Sequence, residues 1–417
     1  MKLLFAHDRF GSFGGAESNI AATAEALRAR GHTLAILHGP RTHQGEARWR
    51  STFHHCFEVP TGKPSRGKRR ESESGDRSLD SKLETVQRVL WSFEPDSIYV
   101  HKLSDLETLT ALLGSGIPTV RMVHDHDLYC MRSYKYDWLS RRICTRSASI
   151  YCVLRCGACL CRDRTRLWPF RWVSYRAKRK EIALNRQFDR LVVASEYMRQ
   201  ELLRNGFAPE QIEIHPPVPR QALQGPIVQS TSTRNLIIYS GQIIRGKGVD
   251  VLLRALAKVR ARFECLIFGD GNHRASCESL AQRLGLCDRV RFAGFVPQEE
   301  LNRQFSEATV AVMGSVWPEP FGASGLEALR LGVPVVAFDA GAIKEWLIDG
   351  VNGYLVPWMD TTTFAARLDK LLDDRALARQ LGENGRTLVN AQYEFDRYVS
   401  ALEDLFGRVS QAREAAA

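Results

Sequence analysis

The feature that most constrains the fold is a repeated alternation of short apolar segments with amphipathic helical segments. The first series begins with "KLLFAH", the Gly-rich turn "GSFGG", the helical pattern "AESNIAATAEALRARG" and "HTLAILHG", which together are typical of a βαβ unit. A second series begins at "NLIIYSG" and continues through "FECLIFGDG", "VRFAGFV", "ATVAVMGS" and "VPVVAFDAG". We therefore predict two doubly wound, Rossmann-like α/β domains that face each other across a cleft.

The boundary between the two series falls in a polar, Pro-containing and unpatterned segment, 218–234. A chain of 417 residues also exceeds what one hydrophobic core usually organises. We predict an N-terminal domain over 1–217, a linker over 218–234 and a C-terminal domain over 235–395. A last helix, 396–417, is expected to pack back toward the N-terminal domain.

Two segments of the N-terminal half depart from the alternation. Residues 61–82 mix both charge signs with Gly, Pro and Ser, so we predict a flexible surface loop. Residues 130–190 form a Cys-rich basic insertion, in which 132–190 hold 16 basic and 4 acidic side chains. Residues 1–220 hold 36 basic and 24 acidic side chains, whereas 221–417 hold 22 and 23. The excess positive charge thus lies in one window, which suits an anionic partner.

The apolar segments are all short. None approaches the roughly 18 uninterrupted apolar residues that a membrane-spanning helix needs. The first residues, "MKLLFAHDRF", contain charged residues and a histidine that interrupt the apolar segment a secretory signal needs. They are instead typical of a first strand. We expect a cytoplasmic protein.

Two glutamates stand eight positions apart in "WPEPFGASGLEALRLG". Pro318 and Pro320 exclude Glu319 from a helix interior, and the apolar spacing that follows predicts a helix ending at Gly332. Glu327 would lie on the first turns of that helix. A rise of about 1.5 Å per residue would separate the two carboxylates by roughly 12 Å along the axis, about the reach of an extended sugar nucleotide.

The residues between the two glutamates suit a phosphate. Gly322, Ser324 and Gly325 lie where the helix begins, and free N–H groups and the helix dipole favour an anion there. A ligand with a hydroxylated ring at each end and a central diphosphate would match this pattern. The alternative is that Glu319 is an ordinary loop residue and Glu327 only caps or solvates the helix, which is the usual situation for an isolated pair.

Further motifs in a fixed order favour the ligand site. They are "YSGQIIRGKGVDVLLRAL" at 239–256, "IFGDG", "RVRFAGFV" and the stretch from "WPEPFG" to about residue 357. This half resembles the retaining sugar-nucleotide glycosyltransferases of the GT-B fold, the family "glycosyl transferases group 1" (family 4). The resemblance implies that Glu319 contacts hydroxyls of the donor hexose and Glu327 the nucleotide ribose. It also implies donor contacts from Gly241, Phe321 and Gly322.

The same resemblance implies a diphosphate clamp made of an arginine and a lysine. The segment "GQIIRGKG" supplies Lys247, but Gln242 stands at the arginine position. A neutral amide cannot replace the charge of a guanidinium. We predict that Arg245 supplies that charge from the same loop. The alternative is that Arg245 points to solvent and Lys247 acts alone.

The N-terminal half resembles the family more weakly. Gly14 and Gly15 match a Gly-rich loop that approaches the donor phosphate or the acceptor. His124, in "VHDHDLYC", matches the histidine beside the donor sugar and the reacting centre. His126 and its two flanking aspartates suggest a metal site, but the family needs no divalent ion because its lysine supplies the charge. We predict no cofactor for catalysis and a structural or acceptor-facing role for His126.

Six of the ten cysteines fall in the basic insertion, where "CVLRCGACLC" is dense even for a metal site. A cytosolic protein would not normally keep disulfides there. We predict a structural zinc ion held by four of five residues, with Cys130 as an alternative ligand: Cys144, Cys152, Cys156, Cys159 and Cys161. The alternative is a loop of free thiols.

After these cysteines, the segment 162–190 interleaves aromatic residues with arginines and lysines; the aromatic residues are Trp168, Phe170, Trp172 and Tyr175. This mixture suits the surface of an anionic membrane on the cytoplasmic side. Nucleic acid is a rival partner that we disfavour. The alternative is an acceptor-domain helix with buried tryptophan and a solvated basic face.

The sequence thus predicts a retaining hexosyltransferase. The C-terminal domain would bind a nucleotide-diphosphate sugar, and the N-terminal domain a glycan, lipid-linked or other hydroxyl acceptor. Lys247 and the helix dipole near Gly322 would stabilise the departing diphosphate, with attack from the leaving-group side. Two alternatives are a sugar-nucleotide epimerase or hydrolase on the same scaffold, and a non-catalytic sugar-nucleotide or lipid-binding protein.

Overall fold

A computed structural model of the chain describes residues 1–11, 14–42, 44–59, 77–137, 139–162, 170–218 and 234–415. Each half contains a parallel sheet flanked by helices, so the predicted pair of doubly wound α/β domains is confirmed. The predicted linker lies outside the described residues except at its two ends.

The described residues of the N-terminal domain contain nine strands: β1 (Lys2–His7), β2 (Thr33–His38), β3 (His55–Glu58), β4 (Ser97–Val100), β5 (Thr119–Val123), β6 (Leu160–Arg162), β7 (Phe170–Trp172), β8 (Arg190–Val193) and β9 (Ile212–Ile214). Seven of them form a sheet in the order β3-β2-β1-β4-β5-β8-β9, in which all neighbours are parallel. Strands β6 and β7 form a separate antiparallel hairpin.

The α-helices in the described part of this domain are α1 (Gly15–Ala29), α2 (Glu46–Thr52), α3 (Arg77–Phe93), α4 (Leu106–Leu113), α5 (Tyr151–Leu154), α6 (Tyr175–Asn185) and α7 (Glu196–Arg204). Every residue of β4 and β5 is buried, as expected for central strands covered by helices on both faces. Helix α3 begins at Arg77, so the last six residues of the predicted loop 61–82 are helical. The rest of that segment, 61–76, lies outside the described residues.

The C-terminal domain contains six strands: β10 (Leu236–Ser240), β11 (Glu264–Phe268), β12 (Val290–Gly294), β13 (Val310–Met313), β14 (Val335–Phe338) and β15 (Gly353–Val356). They form a parallel sheet in the order β12-β11-β10-β13-β14-β15. Its helices are α8 (Val249–Leu256), α9 (Arg274–Arg283), α10 (Gln298–Glu307), α11 (Ala323–Arg330), α12 (Thr361–Asp373) and α13 (Arg375–Gln392).

The last helix, α14 (Phe395–Glu414), lies against the N-terminal domain. Its residues Val399, Leu402 and Phe406 are fully buried in one apolar cluster with Leu3 and Phe5 of β1. Burying such side chains contributes about 1.5–3 kcal/mol each, so this helix, which follows α13 in the chain, is stably packed on the N-terminal domain. No described helix combines the length and apolar content needed to cross a bilayer.

Candidate active site

The two domains meet at a loop that contains Glu319. His126 of the N-terminal domain lies with its Nε2 atom 2.8 Å from the Pro318 carbonyl oxygen. The Ser195 hydroxyl, at the start of α7, donates to the Pro320 carbonyl at 2.6 Å. Since Pro318 and Pro320 flank Glu319, the first glutamate of the predicted pair lies in the interdomain cleft. His126 therefore contacts the C-terminal domain at this interface.

The Glu319 carboxylate is almost fully buried, with 2% of the residue exposed. The Lys247 ammonium donates to both of its oxygens, at 2.7 and 2.9 Å, and the Trp317 indole donates at 3.0 Å. The Ser315 hydroxyl also donates to it. Burial alone would raise the pKa of Glu319, but the Lys247 charge and these hydrogen bonds lower it below the ordinary value. The carboxylate is therefore ionised and fixed in place.

The backbone of Glu319 is fixed as firmly as its side chain. The Glu319 N–H donates to the Ala340 carbonyl at 3.1 Å, and its carbonyl accepts from the Ala342 N–H at 2.9 Å. Gly341 between these partners has a φ of 73°, and a Cβ there would lie 2.4 Å from the Glu319 carbonyl oxygen. Only glycine fits so close an approach, and this explains why "FDAGA" follows β14.

Glu327 lies on the second turn of α11, which begins after Gly322 turns the chain with a φ of 85°. The two glutamates are thus separated by a loop and about one helical turn, as the prolines predict. Burial raises the pKa of Glu327 to about 7, although the nearby Arg330 charge opposes the shift. The side chain of Phe321 is buried in the apolar core, so its contact with a donor would be made through the backbone.

Lys247 ends a 3-10 turn, Arg245–Lys247, that connects β10 to α8. Its ammonium also lies 5.2 Å from the centre of the Trp317 ring. Arg245 begins the same turn. Burial raises the pKa of Tyr136 and lowers that of His273, and the Arg245 charge lowers both.

Gln242 is exposed and lies beside the Gly-rich loop of the other domain. Its Nε2 atom is 3.6 Å from the position that a Cβ on Gly14 would occupy. Gly14 precedes α1 and Gly15 is its first residue, so free amides of a helix start face the cleft near Gln242. The position of the family arginine is therefore in the cleft, and a neutral amide occupies it.

His124 follows β5 and His101 follows β4, so the two imidazoles lie at the same edge of the sheet. The His101 Nδ1 and His124 Nε2 atoms are 3.0 Å apart, and their rings are stacked. Burial, together with the nearby His7 and Lys102, lowers the pKa of His124 to about 3, and burial also lowers that of His101. Both imidazoles are neutral at physiological pH, so His124 can exchange hydrogen bonds with a sugar but cannot act as a cation.

Beside His124 lies a pocket lined by charged groups that include Lys102 and Arg121. The Lys102 ammonium contacts the carboxylates of Asp125 at 3.0 Å and Asp127 at 3.1 Å. Burial and the charge of Asp127 raise the pKa of Asp125 to about 7, although Lys102 opposes this shift. For Asp127, burial would raise the pKa, but the charges of Lys102 and Arg121 and the hydrogen bonds with Asp125 and Lys102 together lower it. With Lys102 between them, these aspartates form an ion-pair network rather than a metal site.

The sequence did not single out His101, Lys102 or Trp317. His101 and Lys102 could have been found, because "SIYVHK" places both directly after a buried strand, where the carboxyl ends of parallel strands converge. Trp317 stands in the same motif as Glu319. Only the structure reveals its role, because its indole N–H donates to the Glu319 carboxylate two residues later in the chain.

The zinc site predicted for the cysteines of the insertion stays a prediction. Among the described residues, no three His, Cys, Asp or Glu side chains are arranged to hold a metal ion. Four of the five predicted ligands are described, and a four-cysteine site would need at least three of them; the side chain of Cys161 lies outside the described residues. Burial raises the pKa of Cys130 and of Cys156, and the neighbouring Cys144 raises both further.

Two family models match the chain and together span most of it. "Glycosyltransferase Family 4" matches residues 13–218, and "Glycosyl transferases group 1" matches residues 224–388. The chain belongs to the GT-B glycosyltransferases. The predicted family and fold are confirmed.

Solved structures of this family share the fold over the whole chain. The HepE protein of Anabaena in complex with UDP and glucose superposes with a TM-score of 0.71 at 19% identity, over 98% of this chain and 100% of that one. Sucrose-phosphate synthase from Thermosynechococcus elongatus superposes with a TM-score of 0.70 at 20% identity, over 99% and 100%.

Curated relatives match over part of their length. An uncharacterized glycosyltransferase of Methanocaldococcus jannaschii is 31% identical over 173 residues, which are 41% of this chain and 44% of that protein. The D-inositol 3-phosphate glycosyltransferase of Streptomyces avermitilis is 34% identical over 187 residues, 42% of this chain and 40% of that protein. The matched region thus spans less than half the length of these relatives.

Proposed function

We propose that this protein transfers a hexose from a nucleoside-diphosphate sugar to an acceptor hydroxyl, with retention of the anomeric configuration. The observation that carries the proposal is the buried Glu319 carboxylate, held by Lys247 at the junction of the two domains. A buried carboxylate can accept hydrogen bonds from sugar hydroxyls, and the adjacent ammonium can donate a charge-assisted hydrogen bond to a phosphate oxygen. Such an acceptor and donor pair matches the two ends of a sugar phosphate.

Lys247 can take part in both contacts at once. An ammonium has three N–H donors, and two of them are used by the Glu319 oxygens. The third is available to a phosphate oxygen, and charge that develops on the departing diphosphate would strengthen that bond. The start of α11, four residues beyond Glu319, adds the positive end of a helix dipole.

The acceptor is assigned to the N-terminal domain, beside His124 and the Lys102 network. Neutral His124 would orient a hydroxyl by hydrogen bonding, and Asp125, with its pKa near neutrality, can exchange a proton there. Glu319 is held by three donors, so it is poorly placed to act as a nucleophile. We therefore favour attack from the leaving-group side. The products would be polysaccharides, lipid-linked glycans or other glycoconjugates.

We also propose that the insertion attaches the protein to the cytoplasmic face of an anionic membrane. Trp172 is 69% exposed and Leu154 73%, and Ile150 and Tyr151 are exposed as well, so the alternative of a buried Trp172 does not hold. Between 139 and 186, every exposed charged side chain of the described residues is basic: Arg142, Arg146, Arg155, Arg176, Arg179, Lys180 and Arg186. Each would add about 1 kcal/mol near an anionic surface. Trp168 and Phe170 lie outside the residues whose side chains are described.

The transfer proposal is tested by incubating the purified protein with UDP-, GDP-, ADP- and dTDP-sugars and measuring the melting temperature with each. A donor that binds only the native state raises that temperature. Proton NMR of the glycoside formed from the stabilising donor then reports the anomeric configuration. An inverted product would overturn the retaining assignment, and the absence of stabilisation by any of these donors would overturn the transferase proposal.

Membrane attachment is tested by flotation with neutral and with anionic phosphatidylglycerol-containing vesicles. Binding to the anionic vesicles alone is expected, and it should fall in a Leu154→Ser/Trp172→Ser variant. Equal binding to both kinds of vesicle, or binding to neither, would contradict the proposal.

A further inference from the structure

A hairpin of the N-terminal domain crosses the cleft and touches the turn that carries Lys247. It lies in the Cys-rich insertion, and we call its described residues, 134–137 and 139–144, the strap. Tyr136 and Ile143 pair across it as an antiparallel bridge, and the Cys144 N–H donates to the Lys135 carbonyl at 2.8 Å. The strap is therefore an ordered element.

The base of the strap is anchored in the N-terminal domain by a buried ion pair. The Lys135 ammonium lies 2.9 Å from the Glu201 carboxylate on α7, and the two side chains are 3% and 2% exposed. Lys135 also donates to the Arg146 carbonyl. Removing one partner of so buried a pair leaves an uncompensated charge, so the base is held firmly to α7.

The tip of the strap is bound to the C-terminal domain by a second ion pair. The two terminal nitrogens of Arg141 donate to the two carboxylate oxygens of Asp250, at 3.0 and 2.8 Å. These side chains are 11% and 16% exposed. Asp250 lies in the first turn of α8, whose N-cap, Gly248, directly follows Lys247. Arg141 thus holds the helix that begins where the proposed phosphate-binding turn ends.

The strap also packs on that turn directly. A Cβ on Gly246 would lie 3.4 Å from the Tyr136 ring and 3.3 Å from Trp317. From the other side, the Gly246 carbonyl accepts the N–H groups of Val316 and Trp317, at 2.9 and 3.1 Å. Ile143 packs against the apolar core of the C-terminal domain. The residue before Lys247 is therefore enclosed between its own domain and the strap of the other domain.

We propose that Arg141 is a positioning residue that, through Asp250, fixes the turn bearing Lys247 when the two domains are closed. The diphosphate site would then be complete only while the strap is docked, which couples donor binding to domain closure. This inference rests on the proposed assignment of Lys247 to the donor diphosphate. It goes beyond that assignment because the strap belongs to the insertion in the opposite domain.

The structural part of the proposal can be tested without any substrate. Hydrogen exchange of residues 245–252 would be compared in the wild type, in Arg141→Met and in Arg142→Met, the last being an exposed neighbour that serves as the matched control. We expect exchange about tenfold faster in Arg141→Met, because the loss of the Arg141–Asp250 ion pair makes local opening of this segment easier. Exchange in Arg142→Met should be unchanged. Equal exchange in all three proteins would overturn the proposal.

The functional part is tested by steady-state kinetics of Arg141→Met, Asp250→Asn and the double variant. Each single change should raise the donor KM about tenfold and leave the acceptor KM within about twofold, and the double variant should be no worse than the poorer single one. Additive losses, or equal effects on both substrates, would overturn the positioning role. If the wild type showed no transfer, the proposed function would fail, and the exchange measurement would still decide whether the strap holds the turn.

Discussion

Replacing Lys247 by methionine tests whether the Lys247–Glu319 pair has both a structural and a catalytic role. The change keeps most of the apolar stem and removes the charge. Removing one partner of a buried pair typically costs about 3–5 kcal/mol. Glu319 keeps its hydrogen bonds from Ser315 and Trp317, and Lys247 is 22% exposed, so we expect a loss of about 2–3 kcal/mol in the free energy of unfolding. Turnover should fall about 100- to 1,000-fold, because a preorganised charge at the leaving group is lost.

The double variant Lys247→Met/Glu319→Gln separates the two roles. A neutral amide needs no counter-ion, so the free energy of unfolding should return to within about 1 kcal/mol of the wild type. Turnover should stay low, because neither the diphosphate charge nor the sugar-binding carboxylate is restored. Urea unfolding followed by circular dichroism gives the first quantity, and a donor-consumption assay gives the second.

The pH dependence provides an internal check. In the wild type the pKa of Glu319 is lowered, so the pair contributes stability above the ordinary glutamate pKa, and this contribution is lost as pH falls through the lower folded-state value. The destabilisation in Lys247→Met should therefore be fully present at neutral pH and fade only below the ordinary glutamate pKa, as pH falls through the lowered folded-state value. If the single and double variants were equally unstable at neutral pH, the ion pair would not be the cause and the reasoning would be refuted.

Three further predictions concern individual positions of the site. Because the pKa of Glu327 is about 7 and only its ionised form accepts both ribose hydroxyls, donor affinity measured by calorimetry should fall about tenfold from pH 8 to pH 6, and a Glu327→Gln variant should show no such change. A Gln242→Arg change would place a second cation in the cleft and should tighten donor binding about tenfold, whereas weaker binding would show that the diphosphate lies elsewhere. Gly341→Ala should destabilise the protein by about 3 kcal/mol or more, because its Cβ would overlap the Glu319 backbone. Gly350→Ala is the matched control, since Gly350 also has a φ of 73° but a Cβ there meets no described atom within 4 Å, and we expect a loss of about 1 kcal/mol.

The fold could be predicted because each apolar segment is short and each helix is amphipathic. In a parallel sheet the carboxyl ends of strands converge, so "VH" at the end of β5 and "GKG" after β10 already indicate the cleft. The prolines around Glu319 also placed it correctly in the loop before α11. These are local properties of the chain, so they can be predicted directly from the sequence.

The sequence could not predict contacts between residues far apart in the chain. The pairing of Lys247 with Glu319 joins positions 72 apart, and that of Arg141 with Asp250 joins positions 109 apart. The dense cysteines predict a zinc site, which stays a prediction, whereas the sequence does not indicate the contacts of Arg132 with the carbonyl oxygens of Cys156 and Gly157. Spacing alone does not show whether thiols converge on one point.

The most direct measurement is a crystal structure of the protein with the nucleotide sugar that stabilises it. The account predicts a diphosphate on the Lys247 ammonium and the first amides of α11, hexose hydroxyls on Glu319, and the ribose on Glu327. A nucleotide sugar bound outside the interdomain cleft, with Lys247 still paired only to Glu319, would contradict it.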